Sequence, residues 1–474
     1  MRSSPTLLSL VLVVAGLSRG VWAQQTSLPL SSNPTGCISD YDATAGVDYF
    51  PDKAVVEYAE TFAVDYFPTY KVLTIMGTAY VLYQCGTPRP TLDTPVQQYI
   101  SVPVTAVATG TPDHVPRIEL LGKRDSIVAY TSPTAGIGSP CVDALVDAGA
   151  ITQALTFDTR ADCLSDIIDN TALVNASVEV TFGDSLDTTV LCPDPTPVYK
   201  GVAVLSYLEA GPTIGLGQGE TIKLFSLFYN LETKGNELFD EIEALWFCTE
   251  TNAQGCSVQL DDSPTVAWFP YLPTDPTSPY DGPGSGYGAP GNDTYYSQAI
   301  ESTGGTMLYC GDYGLTLMTD EEMLACFGDA DVCVFAADYH EVERFFDQGV
   351  LSQLACVQNE RVYDITLSGL NAWFEAVQVE PHVLLQDMVV VLHGDNFDYG
   401  TGSYERLLLR NVNTEESDIG TYYPDVGTCA DENATPTLQG ECEVLIDFNA
   451  AACDGSVTAD GEVSAAGPAA TAPP

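Results

Sequence analysis

Residues 217–243 read GQGETIKLFSLFYNLETKGNELFDEIE, the longest helical signal in the chain. Apolar residues fall at Ile222, Phe225, Leu227, Phe228, Leu231, Leu238, Phe239, Ile242 and Leu245, mostly three or four apart, with no proline between Gly219 and Cys248. This pattern predicts one helix from about Gly219 to Phe247. About 28 residues at roughly 1.5 Å each reach on the order of 40 Å, the width of a domain. Acidic Glu220 in the first turn suits the macrodipole, and Gly235 is a weak point without being an obvious break. A rod of that length joins whatever lies on either side of it.

On both sides strands alternate with helices. Upstream, TAVATG (105–110) and SIVAYT (126–131) read as strands, with a short helical stretch from His114 to Leu121 between them. SPCVDALVDAGA (139–150) is a helix with Ser139 at its cap and Pro140 in its first turn, and ASVEVTF and GVAVLSYL complete the buried strands. Downstream, TVAWF, MLYC, VCVFAA and RVYDIT are strands, and a Pro/Gly/Tyr-rich loop runs from Pro270 to Pro290. Helices are expected at Tyr295–Glu301, Asp320–Phe327, Glu341–Phe346 and Pro381–His393. Alternation of this kind makes parallel sheets, whose ligands bind at the carboxyl ends of the strands.

The fold class is therefore α/β: two Rossmann-like lobes joined by one long helix, with an N-terminal β-hairpin extension. In that extension Phe62–Pro103 reads as antiparallel strands, TYKVLTI and AYVLYQ flanking a hairpin at Met76-Gly77-Thr78 and QYISVPV following. The expected division is a signal peptide at 1–23, the extension at 24–101, an N-lobe at 102–211, the helix and a turn at 212–262, a C-lobe at 263–397 and a Cys-containing tail at 398–474. Residues from Gln24 to about Asp48 read as loosely ordered, and the end of the tail, past Cys453, as disordered.

Composition limits the function. Among 474 residues, 16 Lys plus Arg face 65 Asp plus Glu, a net charge of −49 that argues against nucleic acid and against a polybasic membrane patch. With 45% hydrophobic and 17% charged residues the chain still folds. Arg2, the apolar run Leu7–Leu17 and Val21-Trp22-Ala23 read as a secretory signal cleaved after Ala23, too short to span a bilayer. The 14 cysteines suit that export route, and none are spaced C-x-x-C. Cys326/Cys333 and Cys248/Cys256 are the closest pairs and read as local bridges. Asn175, Asn292 and Asn433 open glycosylation sequons in a eukaryotic host.

Catalytic signatures do not occur: no G-x-S-x-G, Walker A, G-x-G-x-x-G after a strand, H-E-x-x-H or D-x-D-x-D-G calcium loop. The four histidines, His114, His340, His382 and His393, are scattered, and His114 reads as a capping or core residue. Aromatic residues at strand ends are more informative. Tyr130, Thr131, Ser132, Tyr207 and the Gly110–His114 turn lie on the N-lobe side; Trp268, Phe269, Tyr271, Tyr287, Tyr339, His340, Trp373 and Phe374 lie on the C-lobe side. They form either an apolar cleft edged with hydroxyl and indole donors or plain core. Glu209 and Glu375 follow strand ends on opposite lobes, as docking carboxylates or as solvated surface.

Seven segments in order resemble the siderophore and vitamin B12 type of periplasmic substrate-binding protein, the helical-backbone class that serves ABC importers. They are YKVLTI with YVLYQCGTPRP, VPVTAVATGTPDHVPRIELLGKRDSIVAYTSP, GIGSPCVDALVDAGAI, the opening 217–243 stretch, APGNDTYYSQAIESTGGTML, NERVYDI, and NAWFEAVQVEPHVLLQDMVVVLHGDNF. Coverage is roughly residues 60–397. The resemblance implies a non-catalytic protein that captures a solute between two lobes and places the loops of Tyr287 and Trp373 at the cleft. It implies no cofactor; the ligand is an Fe(III)-siderophore, haem or cobalamin. The 14 cysteines and the absence of a cysteine after the cleavage site depart from the family. They point to a secreted, Cys-rich, monomeric relative acting at the cell surface or outside the cell, with a membrane receptor or transporter as partner and no membrane insertion. The alternatives are a secreted hydrolase-like glycoprotein enzyme or a cell-surface structural protein on the same fold.

Anionic catecholate or citrate chelates need several Arg or Lys donors. Arg117, Lys123 and Arg124 sit at helix and turn positions that read as solvated, so the cleft is expected to suit a neutral or cationic ferric hydroxamate.

Overall fold

The computed structural model describes residues 30–131, 137–158, 165–183, 201–203, 214–257, 263–269, 287–289, 294–310, 316–340, 348–394, 404–417, 422–423, 429, 431 and 434–445. The expected signal peptide, the helix expected at Glu341–Phe346 and everything past Cys453 lie outside these residues.

A four-stranded sheet comes first: β1 (Phe62–Phe67), β2 (Tyr70–Ile75), β3 (Thr78–Gln84) and β4 (Gln98–Val102), in that order. Met76 and Gly77 both have positive φ, 47° and 79°, giving the two-residue turn whose twist matches its strands. The expectation of antiparallel pairing holds for β1–β2–β3 and fails for β4, which runs parallel to β3. Residues 85–97 are long enough to carry the chain back to the start of β3. Residues 30–48 are irregular in backbone yet not loose. Asn33 is buried between Asp52 and Glu232, and Cys37 is bonded to Cys85.

The N-lobe follows as β5 (Val107–Thr109), α1 (His114–Leu120), β6 (Ile127–Tyr130), α2 (Pro140–Asp147), β7 (Thr152–Gln153), the hairpin β8 (Leu155–Asp158) and β9 (Ser165–Ile168), α3 (Asn170–Asn175), β10 (Val180–Gly183) and β11 (Gly201–Ala203). Its sheet has the order β7-β6-β5-β10-β11, all parallel. Ser139 caps α2 by accepting from Val142 N at 3.3 Å.

The single rod is not what forms next. Residues fold as α4 (Ile214–Tyr229) and α5 (Glu232–Ser257). A Cβ on Gly235 would meet Ser226, one on Gly219 would meet Ile242 and one on Gly215 would meet Trp246, so the helices run antiparallel. Asn230 makes the break. It adopts φ +56°, and Leu231 N donates to Ser226 O at 3.0 Å, the Schellman stop with Asn in the left-handed position. The last carbonyls of α4 are satisfied from outside, Leu227 O by Lys71 Nζ at 2.6 Å and Phe228 O by Val104 N at 2.9 Å. Phe225 and Phe228 of α4 pack on Phe182 of the N-lobe, so a helical hairpin rather than one rod connects the lobes.

The C-lobe comprises β12 (Thr265–Phe269), β13 (Tyr287–Ala289), α6 (Tyr295–Ser302), β14 (Thr306–Met307), β15 (Thr316–Met318), α7 (Asp320–Phe327), β16 (Val332–Phe335), α8 (Gln348–Leu351), α9 (Ala355–Gln358), β17 (Val362–Asp364), α10 (Leu370–Ala376), α11 (Pro381–His393) and β18 (Arg410–Asn411). The sheet order is β14-β12-β16-β17-β18, parallel except for β18, while β13 and β15 pair separately.

The Cys-containing tail packs into the fold over its described residues. Beyond supplying β18, it buries Leu408, Leu409, Tyr422 and Tyr423. Neither local disulfide forms: Cys248 bonds Cys442, Cys326 bonds Cys310 and Cys333 bonds Cys356. Cys248 and Cys256, itself disulfide-bonded elsewhere, lie on one helix. Eight residues of helix separate them by about 12 Å, beyond the reach of a disulfide. One hydrophobic core runs from Phe50 and Tyr80 through Tyr130 and Phe225 to Trp268 and Trp373; a second, around Phe269, Phe327 and Phe335, lies on the other face of the C-lobe sheet.

Candidate functional site

Strand order locates the crevices. In the N-lobe the chain adds strands on one side of β5, then returns to add β10 on the other, so the switch point lies between the ends of β5 and β10, beside Gly110 and Thr131. In the C-lobe the same reversal falls between β12 and β16, where Ala336 N donates to Phe269 O at 3.0 Å. The connection leaving the carboxyl end of β6 meets the helix that follows the carboxyl end of β17. Gly138 N donates to Glu375 Oε1 of α10, and a Cβ at Gly138 would lie 2.8 Å from Glu375 Oε2 and 3.3 Å from Ala372 N. The missing Cβ of glycine gives that approach its room.

Buried charge surrounds this junction. Arg117 of α1 is fully buried: it donates to Asp113 Oδ2 at 2.7 Å, to Thr221 Oγ1 at 2.8 Å and, across the junction, to Gln378 O at 3.1 Å. Arg124 pairs with Glu119, which also accepts from Ser139 Oγ at 2.9 Å. Both arginines turn inward against expectation, and each has a carboxylate partner. Glu375, far from being solvated surface, is 4% exposed. Burial pushes its carboxyl well above the usual range, the nearby Glu119 and Asp113 add to that, and the Gly138 N–H opposes it. Glu209 lies outside the described residues.

Most of the described aromatic candidates face inward. Tyr130, Trp268 and Trp373 are at most 2% exposed. Trp268 stacks on Tyr296 with centroids 4.6 Å apart and lies 6.0 Å from Trp373, whose indole hydrogen-bonds Tyr295. These side chains build core rather than a lining. Tyr339 is buried against Phe335, with its N–H held by Asp364, and the adjacent His340 is exposed. Thr131 is buried and donates its N–H to Thr109 O at 2.9 Å. Phe374 is 49% exposed. Ser132, Tyr207, Tyr271 and the side chain of Tyr287 lie outside the described residues. His114 is a core histidine, Nδ1 3.0 Å from Thr109 Oγ1, enclosed by Phe182 and Phe225. Of the sequons, Asn175 is exposed at the end of α3; Asn292 and Asn433 are outside.

Sequence reasoning missed the junction's polar members, Arg117, Gln378 and Glu119. The one available signal was the i, i+4 spacing of Asp113 and Arg117. Among the described residues no group of three or more His, Cys, Asp or Glu is placed to hold a metal ion, and no helix is long and apolar enough to cross a membrane.

No family model and no curated protein matches the chain. Solved structures similar to it include a periplasmic binding protein from Veillonella parvula, 14% identical over 64% of this chain and 88% of that one, with a TM-score of 0.42. A periplasmic heme-binding protein from Pseudomonas aeruginosa is 10% identical over 64% of this chain and 96% of that one, TM-score 0.44. Another from Vibrio cholerae is 12% identical over 60% and 96%, TM-score 0.40. Likenesses at this level carry no statement about ligand or activity.

Proposed function

We propose that the chain is an extracellular, non-catalytic solute-binding protein that holds a small metal chelate between its two lobes. One observation carries the reading: two parallel sheets, each with a topological switch point, have carboxyl-end connections that meet at Gly138 and α10. Disulfides across the whole fold support an oxidising location. A transporter or receptor at the membrane is the partner this reading expects.

The junction's electrostatics favour a neutral or cationic chelate, a ferric hydroxamate before a catecholate. Arg117 and Arg124 are committed to Asp113 and Glu119 and offer an anion no uncompensated charge. Candidate contacts are Thr131, His340, Tyr271 and Tyr287. Native mass spectrometry and tryptophan quenching against ferric hydroxamate, ferric triscatecholate, haem and cobalamin test the reading. A preference for triscatecholate would overturn the charge argument. Binding of none would favour the second reading, a surface structural protein, which the core packing of Trp268 and Trp373 favours on its own.

A further inference from the structure

We infer that the described residues between 404 and 445 form a covalent strap that clamps the two lobes together, with Cys141–Cys429 as the bond whose loss frees the junction at Gly138 and Glu375. The inference does not depend on which solute, if any, the protein takes.

The strap is anchored on the C-lobe first. β18 pairs with β17, Arg410 is salt-bridged to Asp364, and the Asp387 carboxylate accepts from Leu407, Leu408 and Leu409 N at 3.0, 2.8 and 2.7 Å. It then reaches the N-lobe, where Cys429 is bonded to buried Cys141 of α2 across 288 residues of sequence, and Thr435 lies beside Gly122. It returns to the central helices. Gln439 N donates to Glu380 Oε2 at 2.6 Å, His382 Nε2 donates to Gln439 O at 2.7 Å, Cys442 is bonded to Cys248 of α5, and Leu445 N donates to Asn252 Oδ1 at 2.9 Å.

Across the junction it spans, Gly138 N donates to Glu375 and Arg117 donates to Gln378 O, while Asp113 and Glu119 are each paired with an arginine. These hydrogen bonds and the shared apolar core hold the lobes together noncovalently, and the strap adds the one covalent tie described between α2 and the chain that pairs with the C-lobe sheet.

Hydrogen exchange read by mass spectrometry tests this on the full chain. Wild type is compared with Cys141→Ser/Cys429→Ser and with Cys310→Ser/Cys326→Ser, whose bond spans 16 residues inside the C-lobe. The expected result is exchange faster by about tenfold or more in peptides covering 137–142 and 370–379 for the first pair alone, with β5 and β12 unchanged. Unchanged junction peptides would overturn the inference. So would acceleration spread evenly over both sheets, because the bond would then act on global stability. If the double variant does not accumulate, graded reduction of folded wild type reads the same peptides. Junction exchange must then rise in step with loss of Cys141–Cys429, and slow exchange after that loss overturns the inference equally.

Discussion

Lys71 Nζ lies 2.7 Å from Glu232 Oε1, and neither side chain reaches solvent. The pair fastens the N-terminal sheet to the first turn of α5. The same ammonium caps Leu227 O at the negative end of α4 and donates to Asn230 Oδ1 at 2.9 Å, while Asn33 Nδ2 donates to Glu232 Oε2 at 2.7 Å. In α4, Glu220 accepts the N–H groups of Glu57, Tyr58 and Ala59. Buried carboxylates on helices thus dock irregular chain, and Asp387 does the same for residues 407–409.

Removing one half of this pair should be costly. Lys71→Ala leaves Glu232 buried without its cation and is expected to destabilise by about 3–5 kcal/mol, whereas Lys71→Met/Glu232→Leu should recover most of that loss. Urea unfolding of the two variants against wild type measures it. A single-variant cost below about 1 kcal/mol would mean the pair is replaceable by water.

Gly235→Ala tests the helical hairpin. In a lone helix alanine is better than glycine by up to about 1 kcal/mol. Here the added Cβ would lie 2.7 Å from Ser226 Cβ and 3.3 Å from Lys223 Cα, so net destabilisation of about 1–3 kcal/mol is expected. A stabilised variant would contradict the antiparallel contact of α4 with α5.

His382 sets one acid limit. Its Nε2 carries the proton donated to Gln439 O, and burial lowers its pKa to about 4 from an ordinary value near 6.5. The unfolded chain therefore binds this proton first as pH falls, and stability is lost between about pH 6.5 and 4. The loss is expected to be about 3 kcal/mol. His382→Gln keeps a donor for Gln439 and should flatten the wild-type dependence by that amount in denaturant titrations at pH 7 and 4. Parallel curves would show that His382 does not titrate with folding.

Glu375 works in the opposite direction. Its folded pKa is raised by burial, so its contribution is complete below the ordinary carboxylate range and is lost as pH rises through the folded value. Glu375→Gln retains the acceptor for Gly138 N and removes the charge. Its unfolding midpoint should match wild type near pH 4 and exceed it at pH 8; a variant less stable than wild type at pH 8 would contradict the assignment.

Local chemistry was legible wherever it was decided locally. Asp320–Phe327 and Pro381–His393 form with the expected limits because Thr319 supplies a capping box and Pro381 a first-turn proline, signals carried within a few residues. The hairpin at Met76-Gly77 and the strands of both lobes were readable for the same reason, since period and turn residues are short-range. The candidate site was legible only as a place, the carboxyl ends of the strands. Which aromatic side chains face outward depends on what packs against them, and Trp268 meets Tyr296 and Trp373 from separate elements.

Sequence by itself determined the α/β class, the positions of most strands and helices, and a composition suited to an oxidising compartment, all properties of residues and their near neighbours. Tertiary structure alone decided that the apolar run around Asn230 turns back on itself. The periodicity continues on both sides of that residue, and what holds its left-handed conformation is Lys71, Pro34 and Gln84, all distant in sequence. It also decided that Cys141 finds Cys429 and Cys248 finds Cys442. Bonds between residues 288 and 194 apart depend on which surfaces meet after folding, and no local pattern encodes that distance.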